Sequence, residues 1–329
     1  MRLLVVAFVL LAAGCESISY YSQAIGGHLQ LMRAARPLDD WLADPATPPA
    51  LRERLQAAQR IRAFASRELA LPDNGSYNSY AELDRPYVVW NVFAAAELAV
   101  EAKRECFLFA GCVGYRGFFA EEDARTHAAR LQAEGYDVHV AGVPAYSTLG
   151  WFDDPLLSSF IGASDAQLAR LVFHELAHQV AYARDDTTFN ESFAVAVEEE
   201  GVRRWLRAQG REAELASFIA AQARRRAFAA GAQETRDRLS AVYRSDVSLD
   251  EKRQRKRAEL ERLWLAYPQA VPAQANNAFL VSVGVYTDLV PAFERLLAES
   301  GSLPRFYERV RELAASERSS RDPWLAQRR

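Results

Sequence analysis

The 329-residue chain lacks an excess of either charge: 40 Lys and Arg stand against 43 Asp and Glu, a formal net charge of −3. That balance excludes the basic footprint of a nucleic-acid binder, so no nucleic acid is expected as a partner. Long apolar runs are missing too. The apolar stretch at residues 3–13 is too short to cross a bilayer as a stable helix. Cysteine is scarce at three, and no CxxC or neighbouring histidine accompanies any of them, which excludes a cysteine-based zinc site. Internal repeats and low-complexity segments are absent. What remains, 50% hydrophobic and 25% charged residues, is the composition of a folded globular protein. The length allows one large domain or two moderate ones.

The opening "MRLLVVAFVLLAAGC" has one charge, Arg2, then the short apolar run, then small residues. It reads as an export signal over residues 1–14, with Cys15 placed as in a bacterial lipobox. Ala12 stands where leucine is usual. Lipidation of Cys15 would hold the protein on a membrane without a spanning helix. Glu16 follows where an aspartate would signal inner-membrane retention, so the expected location is the outer membrane, facing the periplasm. In that oxidising compartment Cys106 and Cys112, six residues apart, are expected to form a disulfide.

The pattern of apolar residues predicts mostly helices with a few strands, an α+β layout. Helices are expected around residues 29–35, after Pro48-Pro49, and over 121–135. Strands are expected at 87–93 and over "YDVHVAGV", and an extended segment at "AYSTLGWFDDPLL". From Asp165 to about Arg184 the chain predicts a strong helix with Leu168, Val172, Leu176 and Val180 as its buried stripe. Another helix runs from about Asn190 to Gly210. Two long antiparallel arms then surround "YRSDVS". The basic run "KRQRKR" at 252–257 reads as a solvated helix face. The expected divisions are 15–135, a helical and strand region; 136–210, a catalytic core; and 211–329, a helical region completing the cleft.

Two of the five histidines lie in "FHELAHQVAY". Positions i and i+4 of a helix share a face, so His174 and His178 can aim ring nitrogens at one point, at bonds of about 2.0–2.1 Å to zinc. Glu175 sits beside them, set to take a proton from zinc-bound water rather than bind the metal. Such polar groups are costly to bury uncoordinated in so apolar a helix. A catalytic zinc also needs a third protein ligand. "FNESFAVAVEEEG" follows a short connection, and Glu191 in its first turn is the expected ligand. Glu198 shares its face, and Glu199 and Glu200 are further candidates.

"HELAHQ" followed by "NESFA" resembles the gluzincin metallopeptidases, in which an NExxA glutamate one helix later completes HExxH. The 12 residues between His178 and Glu191 are fewer than in the large aminopeptidases of that group. More closely, the chain is similar to a bacterial family of predicted lipoprotein aminopeptidases. The stretches "YYSQAIGGHLQLM", "LPDNGSYNSYAELDRPYVVWNVFAA", "CVGYRGFF", "GVPAYSTLGWFDDPLL" and "NNAFLVSVGVYTDLVPAFERLL" extend the likeness over nearly the whole mature chain. The resemblance implies a zincin-like core with a small sheet and long C-terminal helices, one zinc ion and a peptide substrate. It also implies an oxyanion donor outside the zinc helices, for which Tyr286 is the first candidate and Tyr146 the second. "AYSTLGWF" is a candidate edge strand for substrate backbone. Asn276 and Asn277, near Tyr286, read as turn formers. An aminopeptidase also needs a carboxylate for the substrate's amine, and Asp153, Asp154 and Glu198 are candidates. The expected function is zinc-dependent peptide hydrolysis with Glu175 as general base. The alternative is a non-catalytic envelope lipoprotein using the zinc fold as a binding module.

Overall fold

The computed structural model describes residues 20–107 and 111–327. The expected signal segment and Cys15 lie outside the described residues. Helix α1 (20–34) leads into β1 (Arg36–Pro37) and the short α2 (Leu38–Ala43). Proline then starts the first long helix, α3 (Pro49–Leu69): Pro49 occupies its first turn, where the missing N–H would have no partner in any case. After β2 (Ser79–Ala81), β3 (Val89–Ala96) forms the spine of the main sheet. The hairpin β4 (Glu105–Phe107) and β5 (Gly111–Val113), then β6 (Arg116–Phe118), α4 (Glu121–Ala133) and β7 (Tyr136–Val143), complete this half.

Strand β3 lies between β6 and β7, antiparallel to both, with Trp90 opposite Phe118 and Val92 opposite Val140. Its side chains alternate between two covered faces. Trp90, Val92 and Ala94 pack against Ala124, Ala128 and Leu131 of α4. Phe93 and Ala95 meet Ala278, Val281 and Val285 from a later helix. Both faces are therefore buried, which is why seven of its eight residues are buried. Cys106 and Cys112 stand opposite each other in the β4–β5 ladder and are joined as a disulfide.

Next come β8 (Leu156–Leu157), α5 (Ser158–Ile161) and the central pair α6 (Asp165–His178) and α7 (Thr187–Ala208). The two-residue β8 pairs in parallel with β2, Tyr80 against Leu156. The region 145–155 is not the expected edge strand. Leu149 and Gly150 have left-handed φ values of 57° and 83°, which fold it into a turn. Leu168, Val172 and Leu176 of α6 are essentially inaccessible, with Val180 half-buried. They anchor a core that draws on α3, α6, α7 and the C-terminal helices. Gly201 permits this close packing: a Cβ there would come within 2.7 Å of Phe173 and 2.8 Å of Leu69.

The two arms are α8 (Glu212–Arg244) and α9 (Leu249–Ala266), followed by α10 (Asn277–Thr287), α11 (Val290–Ser300), α12 (Leu303–Ala315) and α13 (Arg318–Ala326). The basic run on α9 is not wholly solvated. Arg253 donates to both oxygens of Glu97 (2.8 and 3.0 Å), and Lys256 to Asp137 (2.6 Å), stapling α9 to the end of the sheet. Asn276 and Asn277 serve the fold. Asn276 caps α10 and donates to the Val138 carbonyl (2.9 Å), and the fully buried Asn277 donates to the Glu97 carbonyl (2.9 Å). The chain is α+β and predominantly helical, and among the described residues no helix is long and apolar enough to cross a membrane.

Candidate metal centre

Helix α6 is capped by Ser164, whose hydroxyl accepts from the Gln167 N–H just before the helix begins at Asp165. It ends at His178, short of the Arg184 that its sequence periodicity allows. The N–H groups of Gln179 and Val180 bond three residues back, to Leu176 (3.2 Å) and Ala177 (2.9 Å), which tightens and closes the last turn. Asn190 then captures the connection. Its Oδ1 accepts from the Ala183 N–H (2.7 Å) and its Nδ2 donates to the Ala183 carbonyl (2.9 Å). Asp186 caps α7 by accepting from Phe189 N–H (3.0 Å), and its other oxygen pairs with the buried Arg321 of α13 (2.7 Å). These side chains fix the start of α7, which begins at Thr187, so Glu191 sits one turn into the helix and not in its first turn as the sequence suggested.

His174, His178 and Glu191 are all buried, and their donor atoms converge. His174 Nε2 lies 3.2 Å from His178 Nε2 and 3.2 Å from Glu191 Oε2, and His178 Nε2 lies 3.6 Å from Glu191 Oε2. Zinc bonds of about 2.0–2.1 Å at tetrahedral angles set ligand atoms about 3.3 Å apart, so this triangle fits a divalent metal. The orientation of His174 fits as well. Its Nδ1 lies 2.9 Å from Glu198 Oε2, which holds that nitrogen protonated and leaves Nε2 free to ligate. Arg170 in turn holds the other oxygen of Glu198 at 2.6 Å. Glu198 is thus an orienting residue. Glu199 and Glu200 face away, Glu199 toward Gln222 and Arg226, Glu200 toward Arg203 and Arg204.

The donors polarise one another. Burial acts to lower the His174 pKa, but hydrogen bonds to Glu191 and Glu198 outweigh it and raise it to about 10, so in the metal-free cluster Nε2 carries a proton that a bound cation would displace. For Glu191, burial is overcome by the two histidines, and its carboxyl is held at about 2. Such a strongly negative oxygen is a good ligand for a hard cation. Glu175 is set back from the triangle. Burial pushes its carboxyl up, with the charges of His174 and His178 opposing, as suits a group that takes and returns a proton.

Of the two tyrosines marked by the sequence, Tyr286 on α10 feels the charges of Glu191 and Glu175, and burial holds its phenol well above the usual value. Tyr146 instead packs against His28 and Phe119, and burial, with the charge of Asp154, pushes its phenol up to about 12. Tyr115, between β5 and β6, faces Glu191 and Glu175 as Tyr286 does. Sequence reasoning passed it over, because a tyrosine in a connection carries no periodic signal. Leu149, Gly150 and Asp154 form a wall beside α6 together with residues 74–77. Asn74 donates to Gln179 Oε1 (2.7 Å), Gln179 Nε2 donates to Ser76 Oγ (3.2 Å), and the Tyr77 N–H donates to the Asp154 carbonyl (2.6 Å).

A sequence family described as "Putative aminopeptidase" matches residues 19–325 of the chain. No curated protein and no solved structure gives a match.

Proposed function

The chain belongs to this aminopeptidase family, and from that premise we propose that it is a zinc-dependent peptidase of the bacterial envelope. The observation that carries the reading is the convergence of three buried donor atoms, 3.2–3.6 Å apart, with an acidic side chain at the next position of the same helix. His174, His178 and Glu191 would hold the ion. A divalent zinc there supplies a Lewis acid for the scissile carbonyl and makes water more acidic. Glu175 accepts the proton of the attacking water and delivers it to the leaving amine. The hydroxyl of Tyr286 donates to the oxygen that gains negative charge as the carbonyl is attacked, with Tyr115 on the same side. Glu198 and Arg170 keep His174 in register. Export and lipidation of Cys15, read from the first fifteen residues, would set this site on the outer membrane facing the periplasm.

The test is Glu175→Gln, which is nearly isosteric. Zinc content and melting should match the parent while turnover of a peptide substrate falls by roughly 10²–10⁴. Parental turnover in the variant would remove Glu175 from the mechanism. A zinc-loaded parent that cleaves nothing in a broad peptide library would overturn the peptidase reading.

A further inference from the structure

We propose that Asp154, with Tyr77 beside it, is the group that recognises the substrate's free α-ammonium, restricting this site to peptides with an unblocked amino terminus. The inference rests on the peptidase reading above and assigns its substrate class to particular residues. Three carboxylates were candidates for this role. Glu198 has both oxygens committed, to Arg170 and to His174. Asp153 is exposed and rests over Gly75. Asp154 differs from both. It is inaccessible to solvent, its Oδ2 accepts from the Thr148 N–H (2.9 Å), and its Oδ1 has no partner among the described residues. The hydroxyl of the equally buried Tyr77 is also without a partner there. Two buried, unsatisfied oxygens on residues joined through a backbone hydrogen bond are costly unless a ligand supplies donors.

Their position follows from the helix. Glu175 and Gln179 are four apart and share a face of α6. Gln179 is bonded to Asn74 and Ser76, and a Cβ at Gly150 would stand 3.5 Å from it. The wall that Gln179 grips is therefore the wall that Glu175 faces, and the Tyr77–Asp154 backbone bond lies in it. Tyr77 (φ 65°) and Leu149 (φ 57°) are both left-handed without being glycine, a local cost that such walls bear at functional sites. The buried Arg62, whose charge reaches Tyr77, is committed to the carbonyls of Pro72, Asn74 and Ser76. An ammonium brings the missing charge and three donors, enough for a carboxylate oxygen and a phenol oxygen together. Asp154 is inaccessible and held by the Thr148 N–H, so an amine reaches it only as the loop carrying Thr148 yields. Trp151 and Phe152, 79% and 53% exposed, already point to solvent there.

The experiment uses the zinc-loaded full chain and a library of dipeptide amides, each with a free and an N-acetylated amino terminus. Initial rates and inhibitor affinities are measured for the parent, Asp154→Asn and Tyr77→Phe. The parent should cleave free-amine substrates and leave acetylated ones. Loss of a charge-assisted hydrogen bond should lower kcat/KM of Asp154→Asn on free-amine substrates by roughly 10- to 100-fold, mainly through KM. Tyr77→Phe should lose a smaller factor, roughly 5-fold. In both variants melting should not fall and zinc content should hold. An α-amino hydroxamate should also lose its affinity advantage over its des-amino analogue in Asp154→Asn. A parent that cleaves free and acetylated substrates equally would overturn the assignment and leave the peptidase reading standing. A variant that loses the amino and des-amino inhibitors alike would reduce Asp154 to a structural group. A parent that cleaves neither class would sink the peptidase reading itself, and the assignment with it.

Discussion

Replacing Asn190 by alanine tests how the third ligand is held in place. Its amide makes two bonds to one residue, accepting from the Ala183 N–H at 2.7 Å and donating to the Ala183 carbonyl at 2.9 Å. Asn190 is 3% exposed and Ala183 is fully buried, so no water replaces the lost amide without rearrangement. Each orphaned buried backbone group costs about 1–3 kcal/mol, which puts the variant about 2–6 kcal/mol below the parent. At roughly 2–4 °C per kcal/mol for a domain approaching this size, melting should fall by about 4–24 °C. The damage is also local. The segment between His178 and Glu191 loses its brace, so zinc affinity should drop along with stability. Thermal unfolding with a chelator present measures the first effect, and competition against a colorimetric zinc chelator measures the second. A melting point within about 2 °C of the parent would refute the reasoning, because an Ala183 left unpaired in the core cannot be so cheap.

Arg321→Met should cost about 3–5 kcal/mol in urea unfolding, because it strands the buried carboxylate of Asp186, now 2.7 Å from the guanidinium. A loss below about 1 kcal/mol would show that α13 does not secure the start of α7. Asp154 sets a pH dependence of stability. Burial, opposed by the Thr148 N–H and reinforced by the charge of Glu175, pushes its carboxyl up from 3.8 to about 6. The folded chain therefore holds this proton longer than the unfolded chain. Stability falls as pH rises from about 4 to 6, and the cost, at most about 3 kcal/mol, is complete above that window. Asp154→Asn escapes it, so the variant should gain on the parent at pH 7.5 and lose the advantage near pH 4. A difference that does not vary with pH would contradict this.

The convergence of His174, His178 and Glu191 was legible because its two ingredients are local. A helical i, i+4 spacing brings two imidazoles together, and a short connection returns Glu191 to them. The helices were legible for the same reason, since Leu168, Val172 and Leu176 mark the buried face of α6 by period alone. The end of α6 was not. "QVAYAR" continues the helical pattern, and what stops it is Asn190, eleven residues beyond Gln179, taking the Ala183 backbone. The wall opposite Glu175 was still less legible. It depends on the two-residue pairing of β2 with β8, across some seventy-five residues of chain, and on left-handed turns at Tyr77 and Leu149 that non-glycine residues rarely adopt. The sequence could offer Asp153, Asp154 and Glu198 as equals, since side-chain burial and committed partners separate them only in three dimensions. The staples from Arg253 and Lys256 were hidden likewise, because a charged helix face looks the same whether it meets water or Glu97 and Asp137.

The central claim is that peptide hydrolysis depends on one zinc ion held by His174, His178 and Glu191. Its most direct test is to strip the purified protein with a chelator and titrate zinc back while following cleavage of a peptide the untreated protein hydrolyses. Activity should be near zero in the stripped protein, rise in proportion to zinc and saturate at one ion per chain, with no recovery in His178→Ala. Full activity in the metal-stripped protein, or equal recovery in His178→Ala, would contradict it.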